Sequence, residues 1–129
     1  MTPHRFEGRV FYEDTDMGGV VYHAKWLHFC ERARSDWVRG LGVDQNAMRA
    51  EGVVFVVRSA QCQWLSPGRL DDAYVVETAL EAPGRARAVL RQRVTIGGRA
   101  AFEALVTIAA MGPGGRPVRL PAALRGEAL

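Results

Sequence analysis

The chain has 129 residues, 17 lysines and arginines against 14 aspartates and glutamates, a formal net charge of +3, and 48% hydrophobic with 24% charged residues. That suits a single domain with one core, carries no one-signed run long enough for a nucleic-acid tail, and holds no apolar stretch near the ~20 residues that span a bilayer. The polar N-terminal MTPHRFEGR is unlike a signal peptide, so we read a cytoplasmic protein with one domain over residues 1–129, small enough that its site borrows walls from a second copy.

Taken in chain order, Arg5 to Glu13 contains the apolar run Val10-Phe11-Tyr12 and reads as a first strand ended by a polar turn. In that turn Asp14 and Asp16 precede Gly18 and Gly19, whose bare backbone permits a tight bend and the close approach of a ligand to amide groups. From Tyr22 apolar residues recur at Trp26, Phe29, Cys30, Ala33, Trp37 and Leu41, the three-four spacing of a helix buried along one stripe. Gly40 and Gly42 stop it after about five turns, or ~28 Å. Asp44 to Ala50 reads as a short second helix. Strand patterns follow at Val53–Trp64, Ala73–Leu80, Ala86–Ile96 and Ala100–Met111, separated by proline and glycine breaks too short for crossover helices. Gly97-Gly98 is the clearest hairpin signal, and residues from about 112 to 129 read as an irregular tail. The sum is an α+β chain: an antiparallel sheet of about five strands wrapped around one long central helix, which matches the hotdog fold.

Chemistry belongs at the acidic turn, because helix-start amides carry partial positive charge and a carboxylate lies beside them, the minimum equipment for attack on an acyl group. Taken alone, Asp16 reads first as a turn or N-cap aspartate, and Asp14 reads as the residue holding the loop. Tyr22 packs its ring in the helix stripe. Cys30 and Cys62 are too few and too far apart for a metal site and read as small buried apolar groups. A Cys30–His28 pair fails because residues two apart on a helix do not face each other, and His4, His23 and His28 show no zinc spacing, so no metal or cofactor is expected. Sixteen of the 17 basic residues are arginine, the residue best suited to phosphate; Arg58 leads as a ligand contact, with Arg85, Arg87 and Arg91 behind it. Glu31 and Arg34, three apart, read as a helix-surface ion pair.

The segments YEDTDMGGVVYHAKW, FCERAR and FVVRSAQCQWLSPGRLDD resemble the 4-hydroxybenzoyl-CoA thioesterase family of hotdog proteins, and most closely its Tol-Pal-associated, YbgC-like branch, over Arg9 to about Leu120. The resemblance implies hydrolysis of acyl-CoA thioesters at subunit interfaces of a dimer or dimer of dimers, a homotetramer. It puts the catalytic carboxylate on Asp16, a Tyr-His pair on Tyr22 and His23, and the oxyanion donor on the His23 amide, with Gly19 in the same loop. A helix glutamate serves some relatives, which keeps Glu31 as a secondary candidate. Val20, Trp26, Arg58 and Ser59 are the substrate-binding candidates; Trp26 stands where many relatives carry tyrosine, so chain-length preference does not transfer. A hotdog dehydratase also pairs a histidine with a carboxylate, but GGVVYH is the thioesterase arrangement. The alternative is a non-catalytic acyl-CoA or acyl-carrier-protein binding module, or a scaffold associated peripherally with cell-envelope or lipid-synthesis proteins.

Overall fold

The computed structural model describes residues 2–126. Strand β1 (His4–Arg9) is followed by a loop, the long helix α1 (Lys25–Gly40), the short helix α2 (Gln45–Ala50), and strands β2 (Val54–Trp64), β3 (Ala73–Ala82), β4 (Arg87–Ile96), β5 (Arg99–Met111) and β6 (Pro117–Val118). The described strands form one antiparallel sheet in the order β1-β3-β4-β5-β2, with β6 beside the end of β5. The two helices therefore connect one edge of the sheet, β1, to the other, β2.

Period-two alternation decides which face α1 covers. Tyr74, Val76 and Thr78 on β3, Leu90, Gln92 and Val94 on β4, and Phe102, Ala104 and Val106 on β5 are all buried, with Val76 opposite Val94 and Val94 opposite Phe102. The intervening residues carry the charges: Arg91 reaches Glu81 at 3.1 Å and Arg93 reaches Glu103 at 3.2 Å. Exposed pairs of this kind contribute little. Helix α1 buries Trp26, Phe29, Cys30 and Ala33 against that inner face. Trp26 stacks on Phe102 with ring centroids 6.0 Å apart, and Phe29 stacks on Tyr74 at 4.3 Å. His4 Nε2 lies 2.8 Å from Asp36 Oδ2, tying β1 to the helix.

Three expectations are corrected. Strand β1 ends at Arg9 instead of Glu13, because the Asp14 carboxylate captures the Phe11 amide and winds Tyr12–Asp14 into a 3-10 turn. Helix α1 begins at Lys25 instead of Tyr22, because the Tyr22 amide donates to the Asp14 carbonyl and residues 22–25 form a preceding turn. The tail is tied down: β6 pairs with β5, and Leu120 and Leu124 are fully buried, so residues 112–126 close one end of the core. The hairpin reading holds, with Gly97 and Gly98 both at positive φ (58° and 84°), as a two-residue primed turn requires.

Burial pushes the Cys30 thiol up from 9.0 to about 12, so it stays protonated at physiological pH and is no nucleophile. We expect Cys30→Ala to keep kcat within about twofold, read by steady-state turnover. Because the folded-state value is the raised one, this group's stabilisation is full below pH 9.0 and is lost as pH climbs toward about 12; alkaline unfolding should be shallower in the variant.

Candidate active site

The loop between β1 and α1 is a small hairpin in its own right. Thr15 and Val21 form an antiparallel bridge, the Asp16 amide donates to the Val20 carbonyl at 2.9 Å, and the Gly19 amide donates to the Asp16 carbonyl at 2.9 Å. Gly19 sits at φ 78°, where a side chain is strained. The Asp16 side chain joins in through one oxygen only: Oδ1 accepts from the Gly18 amide at 2.9 Å. Its Oδ2 has no partner among the described residues, and the carboxylate is exposed to solvent. Met17 at the tip is fully exposed.

Behind this hairpin the anchoring is heavy. Asp14 is 3% exposed; its Oδ2 accepts from the Phe11 amide at 2.9 Å, and its Oδ1 lies 3.5 Å from Lys25 Nζ, an ion-pair distance too long for a hydrogen bond. The Val21 amide donates to the Gly68 carbonyl at 2.8 Å. Gly68 is buried because the loop after β2 presses against α1: a Cβ there would come within 2.8 Å of the Trp26 ring. Asp14, Lys25 and Gly68 thus hold the frame while Asp16 faces outward.

The amides of His23 and Ala24 have no acceptor among the described residues. They stand just ahead of α1, whose N-cap is Ala24, so no side chain caps the helix start. On the other side of that turn, Trp64 Nε1 donates to the His23 carbonyl at 2.9 Å, with its ring edge-on to Phe102 at 5.5 Å. Sequence reasoning missed Trp64: its link spans 41 residues, and no local pattern encodes it. We expect Trp64→Phe, which keeps an aromatic ring and deletes the donor, to lower kcat about tenfold with little change in KM, since one hydrogen bond of ~1–1.5 kcal/mol then no longer orients the turn.

The structure brings Asp16, Gly19, Val20, Tyr22 and His23 into one loop. Tyr22 departs from its expected place: it is 46% exposed, its ring 4.7 Å from that of His23, and it lies outside the helix stripe. Trp26 is 2% exposed and belongs to the core, not to an open pocket wall of this chain. Glu31 lies six residues into α1, ~9 Å along the axis from Lys25, and this chain does not place it at the Asp16 loop. Its expected ion pair with Arg34 is also absent among the described residues; Arg34 instead donates to Gln92 Oε1 at 2.8 Å. Arg58 and Ser59 are exposed at a bulge in β2, and Arg58 makes no ion pair among the described residues, whereas Arg91 is engaged by Glu81. No group of three or more metal-ligating side chains is arranged around a common point among the described residues, and none of the described helices is long and apolar enough to cross a membrane.

An antiparallel sheet crossed by one long helix is the layout of the hotdog fold. The chain belongs to the thioesterase-like superfamily, whose family model matches residues 10–127. It is 43% identical over 93 residues to the acyl-CoA thioester hydrolase YbgC of Escherichia coli O6:H1, covering 72% of this chain and 69% of the relative. It is 38% identical over 118 residues to the acyl-CoA thioesterase YbgC of Haemophilus influenzae, covering 90% and 87%. Among solved structures, a probable thioesterase from Bartonella henselae superimposes with a TM-score of 0.88 at 33% identity, over 92% of this chain and 99% of that one.

Proposed function

We propose that this protein hydrolyses acyl-CoA thioesters to free acid and CoA at the Asp16 loop. The observation that carries the reading is the division of labour between the two aspartates: Asp14 is buried and holds the frame, while Asp16 keeps one carboxylate oxygen free and exposed. A thiolate leaving group with a pKa near 8.5 needs little general-acid help. What remains is an attacking group and a holder for the oxyanion. The Asp16 carboxylate either attacks the carbonyl carbon, expelling the CoA thiolate and forming a mixed anhydride that water then cleaves to free acid and the restored carboxylate, or takes a proton from a water that attacks that carbon and displaces the thiolate. The His23 amide donates a hydrogen bond to the developing oxyanion. The two YbgC relatives, named an acyl-CoA thioester hydrolase and an acyl-CoA thioesterase, support the same substrate class.

Support for an oligomer comes from β2. It is an edge of the sheet, largely exposed on both faces, and Val54, Val57 and Trp64 along it are large exposed apolar groups. An open apolar edge invites pairing with a second copy. Arg58 on that edge is the leading contact for CoA phosphate. Two free cysteines, Cys30 and Cys62, fit a reducing cytoplasm. A module that only bound acyl-CoA would gain nothing from a carboxylate beside an anionic ligand.

The test incubates purified protein with a panel of acyl-CoAs and follows thiol release with a thiol-reactive dye. Release on at least part of the panel supports hydrolysis. No release on any chain, with binding retained, would favour the non-catalytic module.

A further inference from the structure

A cavity of about 120 Å³ lies between α1 and β2, apart from the Asp16 loop, close to the ~150 Å³ that admits a benzene ring. Val38, Phe55, Leu90 and Ile108 supply apolar walls, and Glu31 and Arg34 also line it. Arg34 is anchored from below. Gln92, fully buried, donates through Nε2 to the Cys30 carbonyl and to Thr78 Oγ1, each at 2.9 Å, which leaves its Oε1 to accept from Arg34 Nη1 at 2.8 Å. That is the one acceptor Arg34 has among the described residues, out of five N–H donors on a guanidinium. Burial pulls the Arg34 pKa below its ordinary value, and the nearby Glu31 carboxylate offsets only part of that shift.

Symmetry connects this cavity to the chemistry. An isologous contact through the open β2 edge runs the strand antiparallel to itself, so the Trp64 end of one copy lies beside the Val54–Val57 end of the other. Trp64 carries the His23 turn, and with it the Asp16 loop; Phe55, Val56 and Val57 line the cavity. Such pairing, centred on the middle of β2, would bring the second copy's Asp16 loop toward the mouth of this copy's cavity.

We propose that the cavity receives the tail of the acyl group cleaved by the second copy, and that Arg34, held by Gln92, makes it select tails bearing a hydroxyl over plain alkyl tails. A hydroxyl can accept from Arg34 and donate to Glu31 across the same cavity; a carboxylate would gain Arg34 but face Glu31. The proposal rests on the acyl-CoA reading above and deepens it.

The test uses CoA thioesters of one chain length ending in methyl, hydroxyl or carboxylate, and their dethia analogues, in which a methylene replaces the sulfur. Both kcat/KM and analogue Kd are measured for wild type, Arg34→Met and Arg34→Lys, with thermal unfolding to confirm folding. Wild type should favour the hydroxyl tail over methyl about tenfold or more in both readouts. In Arg34→Met the ratio should fall to near one; in Arg34→Lys, which keeps the charge without the fork, it should fall at least about threefold. Absence of a hydroxyl preference in Kd, a preference surviving in Arg34→Met, or a carboxylate preferred over hydroxyl overturns the proposal. Should Arg34→Met not fold, an unchanged ratio in Arg34→Lys overturns it. Tail selection in Kd without any turnover contradicts hydrolysis and leaves the subsite standing.

Discussion

Replacing Asp16 by asparagine is expected to lower kcat at least ~100-fold, because an amide neither attacks a carbonyl nor accepts a proton at neutral pH. The substitution is informative because it separates chemistry from architecture. Asparagine keeps an Oδ1 that can accept from the Gly18 amide, as Asp16 does at 2.9 Å, and the side chain is exposed and free of ion pairs among the described residues. Folding stability should therefore stay within ~0.5 kcal/mol of wild type. Thiol release and thermal unfolding measured on the same preparation check both halves. Turnover that survives would remove Asp16 from the chemistry, and a large stability loss would make it a turn residue.

Asp14→Ala should behave in the opposite way, losing about 3 kcal/mol of stability. Removing the carboxylate strips the Phe11 amide of its acceptor and leaves Lys25 without its counter-charge. That ammonium sits in the first turn of α1, where the helix dipole already disfavours a cation. Breaking a buried pair by deleting one partner costs about 3–5 kcal/mol; the lower end applies because the Lys25 side chain is 24% exposed and recovers some hydration. Urea unfolding measures the loss, and Lys25→Met in the Asp14→Ala background should recover part of it, a coupling that a double-mutant cycle isolates. A loss below ~1 kcal/mol would show that the hairpin frame does not depend on this pair. Activity should fall with Asp14→Ala too, as a consequence of a displaced loop.

These contrasting aspartates show how far the sequence carries. The apolar stripe from Trp26 to Ala33 and the period-two strands at β3 to β5 were legible because each encodes its own burial along one face. The start of α1 was not: Tyr22 continues the helical spacing, yet a backbone bond to Asp14, eight residues earlier, claims its amide. Leu120 and Leu124 looked like tail residues because nothing in residues 112–129 is periodic, although tertiary contact buries both. Asp16 was singled out through its motif, which is local. Trp64 on His23 and Gln92 under Arg34 were invisible, since they join residues 41 and 58 apart and depend on strand order. The Glu31–Arg34 spacing was correct for a surface pair and wrong in outcome, because Gln92 offers Arg34 a better buried acceptor.

The most direct test is a crystal structure of Asp16→Asn with an uncleaved acyl-CoA. The thioester carbonyl oxygen should lie about 3 Å from the His23 amide nitrogen, with the side chain at position 16 facing the carbonyl carbon. A bound thioester whose oxygen points away from that amide, with residue 16 engaged only by Gly18, would contradict the account.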